Sequence, residues 1–374
     1  MAEISKTPVS DFDAAVRLLS GGTNVAIYND IGLPSVYVRK DKGTIGDVTY
    51  GLSSYTKTHP AFIVGDVEVP AFYLGKYLAV VYKGRAISLP FQNPTVNAVT
   101  ESNRGAAIGN NVDFDNAKIW CEANGAGFHL ATLPEYAWVA LSAFENATLP
   151  RGNNNNGSDY YSPSDSGLCA YHDGTKVLRT LTGSGPVTWN DNWKSDGICD
   201  LNGNVYEWQS GYRIVDGEIQ ILPNNNAAKR FSQGADSTYW SAILPNGTLV
   251  PPGTEGTLKW DYTSATADTF QLNNKVINSD RGDGYGYSFF KSLMATSGVS
   301  VPDILYALAL MPNGPSNALS NDKMFIRNIG ERLTCRGGSF TTGSDAGVFC
   351  VAGFNPRSYH GDGIGFRPAF IPGI

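Results

Sequence analysis

Strong helix signals in this 374-residue sequence are concentrated in one short stretch and nearly vanish from Arg151 onward. The first signal predicts a helix from about Phe114 to Ala123, with Asp113 accepting backbone N–H groups at its start. The second begins at Thr132, where Thr132 and Glu135 have the spacing of a capping box. The rest is rich in turn-forming residues, with 42 Gly and 20 Pro. We therefore expect an α+β fold of two helices, short antiparallel sheets and long loops.

The sequence before the two helices predicts a division near residue 60. Residues 1–60 form a small N-terminal segment or attachment region that contains a predicted short helix, Asp11–Leu19. A run of apolar and aromatic residues, Ala71–Val81, then predicts the first long strand of a larger domain that extends over 61–374.

Charge and hydropathy restrict the partners and the location of the chain. It carries 28 basic and 34 acidic residues, a net charge of -6, and no local Lys/Arg cluster, so nucleic acid is not an expected partner. The first residues lack the order of a secretory signal, and the longest apolar runs are too short to cross a bilayer. We expect neither a signal peptide nor membrane insertion.

The five cysteines and four histidines show no metal-binding or triad spacing. An odd number of widely spaced cysteines in a chain of this length favours buried, reduced thiols over a disulfide framework. His129 lies between Phe128 and Leu130, so we expect a partly buried imidazole with its hydrogen bonds satisfied.

Four segments, in order along the chain, carry a recognisable pattern. The most specific is the motif Gly-Asn-Val-Tyr-Glu-Trp, which ends the second of them. The segments are Leu130–Trp138, Gly197–Trp208, Arg336–Phe340 and Ile364–Pro368. They resemble the formylglycine-generating-enzyme branch of C-type lectin-like folds, and this resemblance implies that fold for residues 61–374. The stretch from about 211 to 330 is longer than this family usually has there, so we interpret it as an insertion.

The enzymes of that branch use two cysteines just after the Arg-Gly-Gly-Ser segment, and this chain departs from the pattern. The corresponding positions hold Thr342 and Gly347, neither of which can form a thiolate. Cys350 lies nearby, but alone and at a different spacing. The oxidase activity of the family is therefore not expected, and no cofactor is required.

The C-terminal segment 336–371 is similar to the variable region of diversity-generating-retroelement target proteins, which occur in phages, bacteria and archaeal viruses. Those proteins keep fixed segments between positions that are mutagenised at adenines of asparagine codons. The corresponding fixed segments here are Arg336–Ser339, Gly347–Phe349, Asn355–Ser358 and Ile364–Pro368. The resemblance implies that Arg357 and Arg367 make internal charge-assisted bonds that stabilise this framework.

Three gaps between the fixed segments are the predicted ligand-binding positions. None of them contains Lys, Glu, Gln, Met or Trp, which the mutagenised codon class cannot encode. The gap residues are predicted to face solvent, so that substitution changes contacts without unfolding the core. The aromatic members would act as anchors, with large contact areas and few torsions to freeze. The predicted residues are Phe340, Thr341, Thr342, Gly343, Ser344, Asp345, Ala346, Cys350, Ala352, Phe354, Tyr359, His360 and Asp362.

A structural calcium ion is a further expectation from the lectin-like resemblance. Asp200, Gly203, Val205 and Glu207 match positions at which relatives bind calcium through two side chains and two carbonyls. The alternative is a salt-bridged or capping pair that holds the same turn. The residues alone leave both open.

Taken together, the sequence predicts a hypervariable ligand-binding protein and not an enzyme. The expected partner is a protein or glycan on a target surface, presented to a roughly flat patch of variable residues. By family analogy the chain would belong to a virion or cell surface, with a virion component or a second copy as a further partner. The alternatives are an oxidase of the formylglycine-generating type with displaced chemistry, and a purely structural virion component.

Overall fold

The computed structural model describes residues 11–50, 55–96, 111–279, 282, 284–314 and 319–374. Within them the chain is a mixed α+β protein dominated by sheets. The helices are α1 (Asp11–Leu19), α2 (Phe114–Glu122), α3 (Leu133–Glu145) and α4 (Asp303–Ala307).

The described strands are short, and most have two to five residues. In chain order they are β1 (Asn24–Tyr28), β2 (Pro34–Asp41), β3 (Ile63–Val64), β4 (Val67–Glu68), β5 (Ala71–Gly75), β6 (Ala79–Tyr82), β7 (Arg85–Ser88), β8 (Phe128–Leu130), β9 (Cys169–His172), β10 (Val177–Thr180), β11 (Tyr206–Val215), β12 (Glu218–Ile221), β13 (Ser241–Ile243), β14 (Leu249–Val250), β15 (Lys259–Tyr262), β16 (Phe270–Asn273), β17 (Gly286–Phe289), β18 (Lys323–Ile326), β19 (Glu331–Gly337), β20 (Gly347–Asn355), β21 (Ile364–Gly365) and β22 (Pro368–Phe370).

The predicted helix starts are confirmed. The Asp113 carboxylate accepts the backbone N–H of Asn116 at 2.9 Å and caps α2. At α3 the Thr132 hydroxyl accepts the Glu135 N–H, and the Glu135 carboxylate accepts the Thr132 N–H at 3.0 Å. Both helices therefore begin where a short polar side chain satisfies backbone donors that have no helical partner.

The N-terminal strands belong to the same sheet as the C-terminal strand, which corrects the predicted division at residue 60. This sheet has the order β1-β2-β5-β22-β8, and its neighbouring strands are antiparallel. Tyr37 of β2 is opposite Gly75 of β5, and Leu74 of β5 is opposite Ala369 of β22. Residues 24–41 are therefore part of the fold and do not form a separate segment.

The predicted long strand Ala71–Val81 is two strands. The first, β5, pairs with β2 and β22, whereas β6 pairs with β7 in a separate hairpin. Between them the Lys76 N–H donates to the Val36 carbonyl and the Tyr77 N–H donates to the Ser88 hydroxyl. The chain changes sheets at this point, and a run of apolar residues does not reveal such a break.

The second sheet contains both the motif strands and the predicted insertion. Its main path is β14-β13-β12-β11-β19-β20-β18-β17, with β15, β16 and β21 attached at its sides. Strands from 211–330 lie on both sides of the pair β19–β20, and β18 pairs with β20 in parallel. The predicted insertion is therefore built into the sheet that carries the C-terminal motifs.

Apolar side chains fill the space between the sheets and helices α2 and α3. Trp208 and Trp260, both on strands of the second sheet, are fully buried, as are Phe62 and Phe72 near the first. No helix among the described residues has the length and apolar character needed to cross a membrane.

Candidate functional site

A buried ion pair fixes the C-terminal strands to the motif turn. Arg367 donates Nε and Nη2 to the two carboxylate oxygens of Glu207, both at 2.8 Å, and neither side chain is exposed by more than 1%. Its remaining N–H groups donate to the carbonyls of Gly75 and Cys199 at 2.9 Å. Through these bonds Arg367 connects its own segment to the three segments that contain Glu207, Gly75 and Cys199. The predicted internal bonding of Arg367 is confirmed.

Arg357 makes the second predicted set of internal bonds. It donates to the Glu331 carboxylate at 2.9 Å, to Asp115 at 2.9 Å and to the Gln233 carbonyl at 2.7 Å. These contacts connect the loop after β20 to α2, β19 and the segment after β12. The loop that carries the last gap therefore begins at a fixed point.

The turn proposed for calcium already has protein partners. Both Glu207 oxygens are bonded to Arg367, and the Asp200 carboxylate accepts the Gly183 N–H at 2.8 Å. Burial raises the pKa of Asp200 to about 6. A cation here would have to displace a guanidinium from Glu207 and would then lie beside it. The arrangement does not fit a calcium ion, and the salt-bridged alternative describes the observed contacts.

The first gap, 340–346, is held by an asparagine-rich loop. The Phe340 N–H donates to the Asn204 carbonyl, the Asn156 N–H donates to the Phe340 carbonyl, and the Gly343 N–H donates to the Asn154 carbonyl. The loop is itself braced, since Asn153 and Asn154 donate to the side chains of Asn204 and Asn202 at 3.1 Å. This polar stretch therefore holds the first gap in place.

The first gap and the third gap, residues 359–363, meet at a cavity of about 210 Å³ between the two C-terminal loops. Six of the predicted residues line it: Phe340, Thr341, Ala352, Phe354, Tyr359 and Asp362. The third gap is fixed by its backbone, because the Tyr206 N–H donates to the Gly363 carbonyl and Arg179 donates to the Asp362 carbonyl. The candidate site is therefore concave, which corrects the expectation of a flat patch.

The predicted residues differ in exposure. Thr341 and Tyr359 are exposed, and Thr342, Gly343, Ser344, Asp345, Phe354, His360 and Asp362 are half-buried. Four are buried, against the expectation that the gap residues face solvent: Phe340, Ala346, Cys350 and Ala352. Phe340 and Ala352 nevertheless form part of the cavity wall, so a side chain there can meet a ligand. Cys350 and Ala346 do not line this cavity.

The burial of Cys350 and Ala352 follows from the position of β20. This strand pairs with β19 on one side and with β18 on the other, so it lies inside the sheet. Phe325 of β18 is opposite Ala352, and the hydroxyl of Tyr206 lies 3.6 Å from the Cys350 sulfur. The covering strand β18 comes from the segment whose structure the sequence did not predict.

Residues of the 211–330 segment contact two gap residues directly. The ring of Tyr285 stacks on Phe354 with a centroid distance of 4.3 Å and an interplanar angle of 19°. Lys323 forms an ion pair with Asp345 at 2.9 Å, and its ammonium lies 4.8 Å from the ring centroid of Tyr287. The segment flanks the variable region at this edge and leaves Tyr359 exposed.

Several cavity residues lie outside the predicted set. They include Tyr206, from the Gly-Asn-Val-Tyr-Glu-Trp motif, and Asn355, from a segment predicted to be framework. The signal for Tyr206 was its aromatic side chain inside a turn motif, but such a residue is more often part of a core. Nothing in the sequence distinguishes Asn355 from a structural asparagine.

The positions that carry the chemistry of the enzymes hold no thiol here, and Cys350 and His129 are buried. Thr342 and Gly347 stand at the two positions where the enzymes have cysteines, and burial raises the pKa of the Cys350 thiol, so it is protonated at neutral pH. His129 donates its Nδ1–H to the Gly127 carbonyl at 2.9 Å and its Nε2–H to the Glu135 carboxylate at 2.8 Å. Burial opposes its charge, but the Glu135 carboxylate outweighs burial and raises the pKa of His129. It is more buried than predicted and has its hydrogen bonds satisfied.

Most of the cysteines are buried and none forms a disulfide bond, as the sequence predicts. Cys121, Cys199, Cys335 and Cys350 are buried, Cys169 is exposed, and each is a free cysteine. The part of the chain that the structure describes has no group of three or more His, Cys, Asp or Glu side chains that could hold a metal ion.

Three other cavities lie among the described residues, and one of them, about 610 Å³ beside Arg213 and Trp240, is lined by no predicted residue. The remaining two do not bring separate gaps together either. The larger, about 760 Å³, lies between residues 45–68, Asn246 and Pro302, far along the chain from the gaps. The smaller, about 140 Å³, is lined by Asp322 and Ala346, among others. Among these four cavities, the one of about 210 Å³ joins separate gaps of the C-terminal segment 336–371.

No protein-family model matches the chain, and no curated protein matches it. Among solved structures it is similar to Treponema denticola variable protein 1, with a TM-score of 0.32 and 15% identity over 93% of this chain and 99% of that one. It is also similar to the P3c and M1 variants of Major Tropism Determinant, with TM-scores of 0.33 and 0.34 and identities of 10% and 11%. Each alignment covers 93% of this chain, with 72% of the P3c variant and 71% of the M1 variant. Similarity at this level does not assign a function to this chain. The function therefore has to be inferred from the chain's own residues.

Proposed function

We propose that this protein binds a ligand on a target surface through the cavity between its C-terminal loops, with specificity set by residues of the variable region. The observation that carries the proposal is the convergence of the gaps. Phe340 and Thr341 of the first gap, Phe354 of the second, and Tyr359 and Asp362 of the third line one cavity, although up to 22 positions separate them.

The surroundings of the cavity suit a replaceable binding surface. The framework bonds of Arg367 and Arg357 involve none of the gap side chains, so substitution in the gaps leaves them in place. The first gap is held mainly through backbone groups, which every residue except proline supplies in full. Exposed aromatic side chains such as Tyr359 offer large contact areas for recognition.

In this proposal the chain has a C-type lectin-like fold, and its gaps are diversified by a retroelement, as the sequence resemblance implies. Its place is the surface of a virion or cell, where it meets a protein or glycan of the target. A purely structural role is the second candidate. An oxidase of the formylglycine-generating type is disfavoured by Thr342 and Gly347 at the two cysteine positions.

A binding experiment with matched variants tests the proposal. Tyr359→Ala removes an exposed side chain from the cavity rim, and we expect binding to a target cell or target extract to fall at least tenfold, since aromatic anchors dominate interfaces. Tyr28→Ala, which removes an exposed tyrosine of the other sheet, is the control. Equal binding by both variants, at unchanged stability, would contradict the proposed site.

The proposed diversification is tested by sequencing the DNA around the gene. We expect a second copy of the sequence encoding residues 336–368 near the gene, with adenines at the gap codons, beside a reverse transcriptase gene. Absence of such a template from the complete source genome would remove the retroelement from the proposal and leave only ligand binding.

A further inference from the structure

An exposed aromatic strip lies beside the gap residues but outside the cavity. It consists of Tyr285, directly before β17, and of Tyr287 and Phe289 on that strand. The three residues are 46%, 41% and 39% exposed, whereas Gly286 and Ser288 between them are buried. Because successive side chains of a strand point to opposite faces, the three rings share one face. The 211–330 segment thus exposes a row of large apolar side chains to solvent.

The strip lies on the same face of the second sheet as the gap residues of β20. Tyr287 is opposite Phe325 of β18, and Phe325 is opposite Ala352 of β20, which lines the cavity. Directly opposite residues of paired strands point the same way, so the strip is two strand spacings, or about 10 Å, from the cavity wall. The Tyr285 ring stacks on Phe354, another cavity residue. The cavity and the aromatic strip therefore form one continuous surface.

Lys323 lies between the strip and the first gap, and its charge is compensated. Its ammonium is 4.8 Å from the centroid of the Tyr287 ring and 5.2 Å from that of the Phe289 ring. The same ammonium forms an ion pair with the gap residue Asp345 at 2.9 Å, and the lysine side chain is only 19% exposed. The rings and the carboxylate thus hold the cation in place. Lys323 therefore does not offer an unpaired charge to an anionic partner.

Size and composition favour a protein as the partner of this surface. At about 3.3 Å per residue, the strip from Tyr285 to Phe289 is about 13 Å long, which is longer than one sugar residue. The cores of protein–protein interfaces are rich in Tyr and Phe and poor in charged residues. A stable interface also needs roughly 800 Å² from each partner, far more than a cavity of about 210 Å³ can supply. Such a cavity holds a single side chain.

We therefore propose, on the basis of the proposed binding function, that the aromatic strip contacts the same target protein as the gap residues, one side chain of which enters the cavity. The strip lies outside the segment 336–371, so diversification of the gaps leaves it unchanged. The strip would supply affinity that all variants of the protein share. The gap residues would then select among target proteins.

Paired substitutions in the full chain test the strip. Replacing Tyr287→Ala and Phe289→Ala together removes two exposed rings, and binding of the labelled protein to intact target cells should fall at least about fivefold. Tyr82→Ala is the matched control, because Tyr82 is 47% exposed and the Lys83 ammonium lies 5.4 Å from its ring centroid, but it belongs to the β6–β7 hairpin. The control should bind like the wild type. Equal binding by the double variant and the control would overturn the inference.

Treatment of the same cells tests the class of partner. Digestion of the cell surface with proteinase K should abolish binding, whereas mild periodate oxidation, which cleaves the vicinal diols of sugars, should leave it. The reverse result would assign the surface to a glycan and overturn the inference. This part of the test needs no substitution. If the double variant does not fold, as unfolding measurements would show, the two single variants are compared with Tyr82→Ala instead.

Other outcomes separate this inference from the proposed function. Loss of binding in Tyr359→Ala, with no loss in the double variant, would keep the cavity as the binding site and reject the strip. A wild-type oligomer that the double variant converts to a monomer in sedimentation would assign the strip to a contact between copies of this chain, which also overturns the inference. Unchanged binding in both Tyr359→Ala and the double variant would reject the strip together with the proposed site.

Discussion

The gap on β20, residues 350–354, and the two gaps on loops, residues 340–346 and 359–363, lie in very different surroundings. Cys350 and Ala352 lie on β20, between β18 and β19, and are at most 1% exposed. Thr341 and Tyr359 lie on loops, and Tyr359 is 41% exposed. The loops are fixed by their backbone and by framework arginines, so their side chains are left for contacts. Positions that look equivalent in the sequence therefore differ in how freely they can be replaced.

The largest expected effect comes from breaking the framework beneath both kinds of gap. Arg367→Ala leaves the Glu207 carboxylate buried and without its partner, and should lower the free energy of unfolding by about 3–5 kcal/mol. Chemical denaturation measures this loss.

The matched control for Arg367 is an exposed ion pair. Arg39 and Asp41 are 2.7 Å apart, with side chains 43% and 72% exposed. Arg39→Ala should cost less than about 1 kcal/mol, because solvent screens the pair. Similar losses in the two variants would show that the Arg367 pair does not hold the framework.

The second prediction concerns the strand gap and pH. The Asp322 carboxylate accepts the backbone N–H of Phe349 on β20 at 2.8 Å, and burial raises the pKa of Asp322 from 3.8 to about 6. The folded state therefore holds this proton more tightly than the unfolded state. The stabilising contribution is fully present below about pH 3.8 and is lost as the pH rises through 6.

Asp322→Asn should remove that pH dependence. The amide oxygen can still accept from Phe349, and no charge has to be buried at neutral pH. Near pH 7 the variant should be more stable than the wild type by about 3 kcal/mol, and the difference should shrink toward pH 4. Unfolding curves at a series of pH values measure the slope. An unchanged slope in the variant would mean that Asp322 is not the titrating group.

The third prediction compares one substitution at the two kinds of gap. Cys350→Asn inserts a larger polar side chain into the sheet and should cost about 1–3 kcal/mol. Thr341→Asn, at an exposed loop position, should change stability by less than about 0.5 kcal/mol. Thermal and chemical unfolding of both variants provides the comparison. If Cys350→Asn costs nothing, the strand gap is as replaceable as the loops.

The smallest expected effect concerns the contact between a gap residue and the 211–330 segment. The stacked rings of Tyr285 and Phe354 should show a coupling free energy of about 0.5–1.5 kcal/mol. A double-mutant cycle of Tyr285→Ala and Phe354→Ala measures it. Additive losses would show that the segment only lies beside the variable region and does not stabilise it.

Local features of the fold were predictable because their causes are local. Capping by Asp113 and by the Thr132–Glu135 pair involves residues within three positions of each other, and both helices begin where predicted. The hairpin around Asn246-Gly247, in which Ile243 is opposite Leu249, likewise follows from local turn chemistry.

Long-range pairing was not predictable in the same way. Nothing near residues 24–41 shows that they join the sheet of the C-terminal strand, because that pairing depends on β5 between them. The burial of Cys350 has the same origin, since the strand that covers β20 comes from the 211–330 segment. The alternation of apolar and polar residues along one strand does not show whether both edges of that strand are paired with other strands.

The sequence predicted which segments form the candidate site, but it did not predict the shape of the site. The motifs located the gaps, and six gap residues do line one cavity. Its concave form depends on the Asn153–Asn156 loop and on Tyr206, which lie far away in the sequence. Asn355 was assigned to the framework alone, because its place in the cavity wall is visible only in three dimensions.

The central claim is that loop residues at the cavity can be replaced without loss of the fold. One library that randomises Thr341, Tyr359 and Asp362 together, displayed and sorted by protease resistance, measures this directly. A control library randomises three buried residues of β20, Val348, Phe349 and Val351, with the same codons. We predict that most members of the first library stay resistant and that few of the second do. A first library as sensitive as the second would contradict the account.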